Sequence, residues 1–352
     1  MMGDPLRRLN HCVALCTVLV GLLGACSKDE SPAPPVIVNQ LASELVSIDG
    51  PAYSALTGVW QSPSGDVFLA GGNPDRESGL VARVQNDVIE LMTVPTGPMI
   101  WWVSGIDDQH VWACGDEGRI LRFDGSIWTE EETGLDEKAV LWGIWARTPN
   151  DIWAVGGAFR RGGPKGLVLH SNGNGVWNRV EDASFPTMLN LYKVWGDATR
   201  LVIVGEGGTV ITAENESFNR VQTGQNDLLF TIDGQTGGPL LAVGGLDGSL
   251  VIQEHEGTWS EQSLASGAPL NGVAVHPTGQ ALAVGARGTV LYRDEAGHWY
   301  PVYLDARETI RDRTLHAAEW EDEIWIVGGD LTDLTRGVAL TNRQPVPRWE
   351  FP

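Results

Sequence analysis

The chain of 352 residues repeats nearly the same short phrase seven times. Each copy is an apolar run that ends in one or two glycines, as in "DIWAVGG" at 151–157. The first glycines of the copies are Gly71, Gly115, Gly156, Gly205, Gly244, Gly285 and Gly328. They follow one another at steps of 44, 41, 49, 39, 41 and 43 residues. A period of this length, marked by glycine and aromatic residues, is typical of a propeller blade and not of a helical solenoid.

Each copy divides into four short strands. In the third copy the strands are "LWGIWA", "DIWAVG", "GLVLHS" and "GVWNRV", separated by clusters of turn-forming residues. No helical period interrupts them. The sequence therefore predicts an all-β fold, a seven-bladed β-propeller of four-stranded antiparallel blades, over residues 43–352.

The position three before each glycine is apolar in every copy. It is occupied by Phe68, Trp112, Trp153, Val202, Leu241, Leu282 and Trp325. A blade lies between two neighbours, so both of its faces need apolar cover. Burying one such side chain contributes roughly 1.5 to 3 kcal/mol, so we expect this column to hold the blades together. We expect the glycine that follows to take a positive φ and to turn the chain out of the second strand.

Two segments compete to close the ring. "ELVSI" at 44–48 and "RWEF" at 348–351 both resemble a fourth strand, and the seventh blade needs one beside the strand at 337–341. A closed ring leaves no open sheet edge. We predict that one of the two pairs there, and the N-terminal segment is a serious contender.

The N-terminus has the features of an export signal. Arg7 and Arg8 precede "CVALCTVLVGLL", a stretch too short to span a bilayer but suited to a signal peptide. The following "LGAC" resembles the bacterial lipobox. That resemblance implies a lipoprotein signal peptide at 1–25, lipidation of Cys26 as the anchor in a bacterial membrane, and sorting to the outer membrane. An ordinary signal peptide with an incidental cysteine is the alternative.

The segment after the cysteine, 26–42, is rich in serine and proline at its start. This composition predicts an extended tether that does not pack. The protein would then be a cell-envelope lipoprotein, facing either the periplasm or the cell surface.

The composition limits the partners. Lys and Arg number 24 against 45 Asp and Glu, which gives a net charge of -21 and argues against binding nucleic acid. Cleavage before Cys26 would leave that residue and Cys114, so no disulfide framework is expected. Cys114 lies in a second strand and is expected to be a small buried apolar residue. We predict no cofactor and no metal site, because the remaining histidines show no paired spacing and are expected in exposed turns. They are His110, His170, His255, His276, His298 and His316.

The repeats also resemble a known family. "CGDEGRILRFDGSIW" at 114–128 and "VGARGTVLYRDEAGHW" at 284–299 resemble the BNR or Asp-box repeat of sialidase-like propellers. The resemblance is to the non-catalytic branch that includes photosystem II assembly factors and bacterial surface proteins. Double glycines, as in "IWIVGG" at 324–329, make kelch repeats the second choice. A catalytic sialidase would have an Arg-Ile-Pro segment, which this chain lacks, so the resemblance does not extend to that activity.

Three of the loops that join second to third strands are long. They are expected on the face that usually carries function, at 71–79, 156–166 and 328–337. Together with the shorter loop of the sixth copy they place the candidate ligand-binding residues Arg76, Arg160, Arg161, Lys165, Arg287 and Arg336 on one face. We expect these cations to bind an acidic glycan or an acidic protein surface. Ordinary solvated loop charge is the alternative.

The sequence supports one main functional hypothesis. It is a membrane-anchored, non-enzymatic propeller that recognises an envelope protein or a glycan. The alternative is a carbohydrate-active enzyme, a glycoside hydrolase or polysaccharide lyase, with carboxylates at the central channel on the loop-rich face. A third hypothesis, an assembly factor for a membrane complex, rests on the family resemblance. No catalytic residue can be identified from the sequence.

Overall fold

The computed structural model describes residues 36–73, 78–264, 267–304, 308–332 and 334–350. This part of the chain opens with a helix, α1 (Val36–Glu44), and a short strand, β1 (Val46–Asp49). It continues as a ring of seven antiparallel sheets, which confirms the predicted seven-bladed β-propeller.

The first four blades follow in chain order. Blade 1 consists of β2 (Ala55–Gln61), β3 (Val67–Asn73), β4 (Ser78–Gln85) and β5 (Val88–Leu91). Blade 2 consists of β6 (Ile100–Asp107), β7 (His110–Gly115), β8 (Ile120–Phe123) and β9 (Trp128–Glu131). Blade 3 consists of β10 (Val140–Thr148), β11 (Asp151–Gly157), β12 (Leu167–Ser171) and β13 (Trp177–Arg179). Blade 4 consists of β14 (Leu191–Gly196), β15 (Arg200–Gly205), β16 (Val210–Glu214) and β17 (Ser217–Val221).

The last three blades complete the ring. Blade 5 consists of β18 (Leu229–Gly234), β19 (Leu240–Gly244), β20 (Leu250–His255) and β21 (Thr258–Glu261). Blade 6 consists of β22 (Leu270–Val275), β23 (Ala281–Gly285), β24 (Thr289–Arg293) and β25 (Trp299–Pro301). A short helix, α2 (Glu308–Arg311), leads into blade 7, which consists of β26 (Thr314–Trp320), β27 (Ile324–Asp330), β28 (Thr335–Thr341) and the N-terminal β1. A final strand, β29 (Arg348–Glu350), follows.

The N-terminal strand closes the ring. β1 pairs antiparallel with β28, from Val46 opposite Thr341 to Asp49 opposite Val338. The prediction that one terminal segment would pair at this edge is confirmed for the N-terminal one. The C-terminal segment lies elsewhere, because β29 pairs parallel with β5 at the outer edge of blade 1. Each terminus therefore covers a different sheet edge.

The predicted apolar column lies between the blades. All seven of its side chains are buried, and each packs in a core cluster shared by its own blade and the next. Phe68 of blade 1 packs with Val103 of blade 2, for example. Trp325 of blade 7 packs with Leu56 of blade 1, so the last blade meets the first through the same kind of contact that joins the other blades.

The predicted unpacked tether is wrong for its C-terminal part. From Val36 the chain forms α1, whose Val38 and Leu41 are buried against blades 6 and 7. The physical reason is local: the prolines end at Pro35, and Val38, Leu41 and Leu45 then recur at helical spacing on one face.

The export signal at 1–25 and Cys26 lie outside the described residues. Within those residues, no helix is long and apolar enough to cross a membrane. Cys114 is a buried free thiol in β7, as predicted, and burial raises its pKa to about 12.

Candidate functional site

The repeated glycine makes room for a β-bulge in the inner strand of every blade. In blade 3, Gly156 pairs with Leu141 and Val155 pairs with Gly143, which leaves Trp142 between them without a partner. A Cβ on Gly156 would lie 2.0 Å from the carbonyl oxygen of Val140. The other six first glycines are equally tight, at 1.9 to 2.3 Å from the corresponding oxygen. The predicted positive φ is wrong for all seven, since glycine is needed there for close backbone approach.

The seven bulged residues form a ring that we call the collar. Its members are Thr57, Trp101, Trp142, Tyr192, Phe230, Asn271 and His316. They stand near the start of the inner strands, where the central channel opens on the loop-rich face, meaning the face with the blade connectors and the loops from second to third strands. All but Thr57 line a cavity of about 240 Å³, the collar pocket, together with Phe159, Lys193 and Thr231.

Aromatic rings make a continuous wall around much of the collar pocket. Neighbouring ring centroids are 6.0, 5.0, 5.1 and 5.2 Å apart along the series Trp101, Phe159, Trp142, Tyr192 and Phe230. Phe159 comes from the long loop between β11 and β12, and the others come from the collar. Tilted and edge-to-face pairs at these distances are favourable, so the wall is a preformed apolar surface.

Carboxylates fix the polar edges of two rings. The indole Nε1 of Trp101 donates to Asp116 Oδ1 at 2.7 Å, and the hydroxyl of Tyr192 donates to Glu206 Oε1 at 2.9 Å. Burial raises the pKa of Asp116, while the hydrogen bond from Trp101 opposes that rise. The rings are therefore held in orientation by side chains outside the collar.

His316 is a neutral acceptor in the collar pocket. Its Nδ1 lies 2.6 Å from the carbonyl oxygen of Thr57. A carbonyl only accepts, so Nδ1 carries the proton and Nε2 keeps a free lone pair. Burial, helped by the charge of Lys193, lowers the pKa of His316 to about 4. The predicted exposed turn position is wrong for this histidine and for His170, which stacks on Trp153 within β12.

Lys193 lies at the base of the aromatic wall. Its Nζ donates to the carbonyl oxygen of Trp142 at 2.5 Å and stands 3.8 Å from the ring centroid of Trp102. The residue is only 5% exposed. Within the described ranges no carboxylate charge acts on it, and burial lowers its pKa to about 7. A buried amine without a counter-ion is therefore part of the pocket.

Large apolar side chains are exposed on the loop-rich face. Five of them, more than 60% exposed, lie on the loop-rich face: Tyr53, Phe159, Met188, Leu246 and Tyr303. Ile127 and Val176 are the comparable side chains in turns of the opposite face. We call the five residues the apolar rim. Exposed apolar residues concentrated on one face are typical of an interaction surface.

Three of the predicted ligand-binding cations are free to face solvent. Arg160 and Arg161 are exposed beside Phe159, and Arg160 lines a second cavity of about 440 Å³ that shares Trp101 with the collar pocket. Arg287 is exposed in the tight turn after β23, at a φ of 59°. Arg76 lies outside the described residues. The ligand-binding role of these arginines stays a prediction.

The other two predicted cations are engaged within the protein. Lys165 Nζ donates to the Ala158 carbonyl and to Asn190 Oδ1, both at 2.9 Å, and so ties the long loop of blade 3 to the next connector. Arg336 pairs with Asp330 at 2.7 Å and with Asp312 at 3.1 Å. These contacts give both residues a structural role.

The opposite end of the channel is acidic. A cavity of about 300 Å³ there is lined by the ends of the inner strands, including Trp60, Trp195, Asp233 and Glu319. Burial raises the pKa of Asp233 to about 7, against a hydrogen bond from the Val275 backbone N–H at 2.7 Å. Burial raises the pKa of Glu319 well above its ordinary value, and the charge of Asp233 adds to that rise. Carboxyl groups with raised pKa values thus lie at the end of the channel opposite the loop-rich face.

A larger cavity, about 660 Å³, lies between blades 3 and 4 on the opposite face. Its central carboxylate, Asp151, already accepts from Trp153 at 2.7 Å, contacts His170 Nε2 at 2.9 Å and pairs with Arg147. These polar groups already bond to one another and are not available to a ligand. The collar pocket is therefore the stronger candidate site.

The collar was not predicted, although the sequence contains a pattern that marks it. A leucine or isoleucine directly precedes each collar residue and stands 13 to 15 residues before the repeated glycine. These residues are Leu56, Ile100, Leu141, Leu191, Leu229, Leu270 and Leu315. The position after this column is aromatic in four copies, which alignment on the inner strands would have shown.

No protein-family model and no curated protein matches the chain. Solved structures do. The chain is similar to YCF48 from Cyanidioschyzon merolae, with a TM-score of 0.62 and 14% identity over 84% of this chain and 98% of that one. YCF48 bound to D1 peptide gives a TM-score of 0.52 and 13% identity over 85% and 94%. The RRP9 WD40 repeats give 0.65 and 11% over 85% and 97%.

The chain is a seven-bladed β-propeller. At these identities the similarity shows the fold and leaves function to the site.

Proposed function

We propose that this protein is a non-enzymatic binding propeller of the bacterial cell envelope whose loop-rich face binds an envelope protein. The observation that carries the proposal is the coincidence of the collar pocket with the apolar rim on one face. Exposed Phe159 belongs to both, so a partner seated in the pocket would also contact the apolar rim through Phe159. Protein interfaces use aromatic anchors in such pockets.

Two further observations support a protein partner. One neighbour in structure is YCF48 bound to D1 peptide, so a propeller of this architecture can take a peptide ligand. Arg160 and Arg161 stand exposed beside Phe159 in a chain of net charge -21. They would favour a partner, or an acidic glycan, that offers carboxylates next to an apolar anchor.

Co-purification from the intact envelope tests the proposal. The tagged protein is compared with three variants: Phe159→Ala, the pair Arg160→Ser with Arg161→Ser, and Ile127→Ala as the control with similar exposure on the opposite face. We expect the same partner with the wild type and the control, and a loss of about tenfold with Phe159→Ala. Equal recovery with all variants would contradict the proposal, and binding to a glycan array without a protein partner would replace it with the glycan form.

We further propose that Cys26 carries the lipid anchor and that residues 1–25 are removed. The support is the lipobox resemblance of "LGAC" at 23–26. Membrane fractionation of a Cys26→Ala variant tests this, because several acyl chains hold a protein firmly on a membrane. We expect the variant to be released or unprocessed, and normal membrane recovery would contradict the anchor.

The acidic end of the channel favours a second candidate, a carbohydrate-active enzyme. A carboxyl group that stays protonated near neutral pH, such as Asp233, suits the general acid of a glycoside hydrolase. Hydrolysis of a polysaccharide panel that Asp233→Asn abolishes would support it. Activity that survives this substitution would remove Asp233 from that role.

A further inference from the structure

The collar pocket holds a primary amine that is buried without a carboxylate partner. Lys193 is only 5% exposed and lies between blades 2, 3 and 4. Its partners are the Trp142 carbonyl oxygen and the face of the Trp102 ring, and no carboxylate is among them. Burial without a paired anion outweighs the attraction of the ring face for a cation and lowers the pKa of Lys193 to about 7, so a substantial share of the amine is uncharged at neutral pH.

The contact geometry leaves the amine lone pair available. A neutral amine has two N–H bonds, which the Trp142 carbonyl oxygen and the Trp102 ring face can take at 2.5 and 3.8 Å. His316 lines the same pocket with an unprotonated Nε2, which cannot donate a proton to the amine. A desolvated lysine amine of this kind is a nucleophile toward carbonyl carbons.

The pocket indicates which carbonyl compounds fit. Its volume is about 240 Å³, compared with roughly 150 Å³ for a cavity known to hold benzene. Indole and phenyl rings supply most of its wall, and Asp116 and Glu206 stand behind Trp101 and Tyr192. A small, uncharged, aromatic molecule is therefore favoured over an anion.

We propose that Lys193 is a covalent binding site for small aromatic or conjugated aldehydes, which it holds as an imine in the collar pocket. The Nζ lone pair attacks the carbonyl carbon and forms a C–N bond. Both amine protons move to the carbonyl oxygen, which leaves as one water molecule while the C=N bond is completed. Atoms and electrons balance without an oxidant or reductant.

Competitive labelling of the lysines tests this site. The chain contains only four lysines, Lys28, Lys138, Lys165 and Lys193, so each can be followed in one digest. The purified protein is treated at pH 7 with less than one equivalent of cinnamaldehyde and with cyanoborohydride, which traps imines as stable amines. Peptide mass spectrometry then measures the adduct at each lysine.

We expect the adduct on Lys193 to exceed that on Lys138 or Lys165 by at least about tenfold, although those side chains are less buried. Denaturation in urea should abolish the preference. Phe159→Ala should lower labelling of Lys193 several-fold, while Ile127→Ala should leave it unchanged. Labelling that follows exposure, with Lys193 last, would overturn the proposal, and so would a Lys193 preference that persists in urea.

The experiment is independent of the proposed protein partner. Labelling uses the purified protein alone, so loss of the partner interaction leaves the result unaffected. A Lys193→Gln variant, whose amide can still donate to the Trp142 carbonyl, should retain the fold and lose the dominant adduct. Retention of that adduct on another residue of the pocket would also contradict the assignment.

Discussion

The two ends of the central channel are built from the same seven inner strands and differ in chemistry. The loop-rich end has an aromatic wall, a neutral histidine and the amine of Lys193. The other end has the carboxyl groups of Asp233 and Glu319 beside tryptophans. Burial shifts the pKa of Lys193 down and that of Asp233 up, so both ends lose charge near neutral pH.

The difference arises from one backbone device. A bulge near the start of each inner strand adds a residue outside the strand alternation, and six of these seven residues line the collar pocket. The opposite end has regular pairing in most blades, so its side chains follow the ordinary period of two. The repeated glycine thus permits the bulge that shapes the loop-rich end of the channel.

The largest expected effect is the loss of a bulge. Gly156→Ala places a Cβ 2.0 Å from the Val140 carbonyl oxygen, so the backbone must move. We expect a loss of about 3 kcal/mol in the free energy of unfolding, or failure to fold. Gly267→Ala is the control, since a Cβ there meets open space. Urea unfolding of both variants checks this, and equal stability would mean that the glycine is not needed for the bulge.

Titration of the acidic end should have the next largest effect. The pKa of Asp233 is about 7 in the folded protein, compared with its ordinary value of 3.8. Its protonation therefore stabilises the fold fully below pH 4, and this contribution is lost as the pH rises through 7. Asp233→Asn should therefore stabilise the protein at pH 8, by about 2 kcal/mol, and change little at pH 4. Thermal unfolding at the two pH values measures this. A variant with unchanged pH dependence would show that Asp233 is not the titrating group.

A smaller effect is expected from freeing one ring of the collar. Asp116→Ala removes the acceptor of the Trp101 indole N–H, which should cost about 1 kcal/mol. Asp116→Asn keeps an acceptor oxygen and should cost about half as much or less. Urea unfolding compares the two variants, and equal losses would show that the hydrogen bond does not hold the ring.

The smallest change in stability is expected at the apolar rim. Phe159 is 66% exposed and Ile127 is 59% exposed, so replacing either by alanine should alter the free energy of unfolding by less than about 0.5 kcal/mol. A larger loss for Phe159→Ala would mean that its contacts with Trp101 and Trp142 are structural. Thermal unfolding of both variants decides this.

The sequence was sufficient to predict the blades because their determinants are local. The glycine phrase sets the second strand, and the apolar column before it sets the blade interface, as Trp153 and Trp325 show. Ring closure by β1 could also be predicted, because "ELVSI" has the pattern of a fourth strand.

The collar could not be predicted from the sequence, because it depends on the register between strands. Trp142 and His316 become neighbours of one pocket only when each bulge shifts its inner strand by one residue. The properties of Lys193 and Asp233 depend on burial by several blades at once. Arg160 lies on the loop-rich face because the loop that carries it joins a second to a third strand. The pairing of Arg336 with Asp330 and Asp312 depends on tertiary contacts, so it could not be predicted from the sequence.

The most direct test of the account is a photo-crosslinking map in the intact envelope. A benzophenone amino acid is placed singly at Tyr53, Phe159 and Tyr303 on the apolar rim, and at Ile127 and Val176 on the opposite face. We expect one common crosslinked protein from the rim positions and none from the opposite face. The same crosslinks from both faces, or crosslinks from Ile127 and Val176 alone, would contradict it.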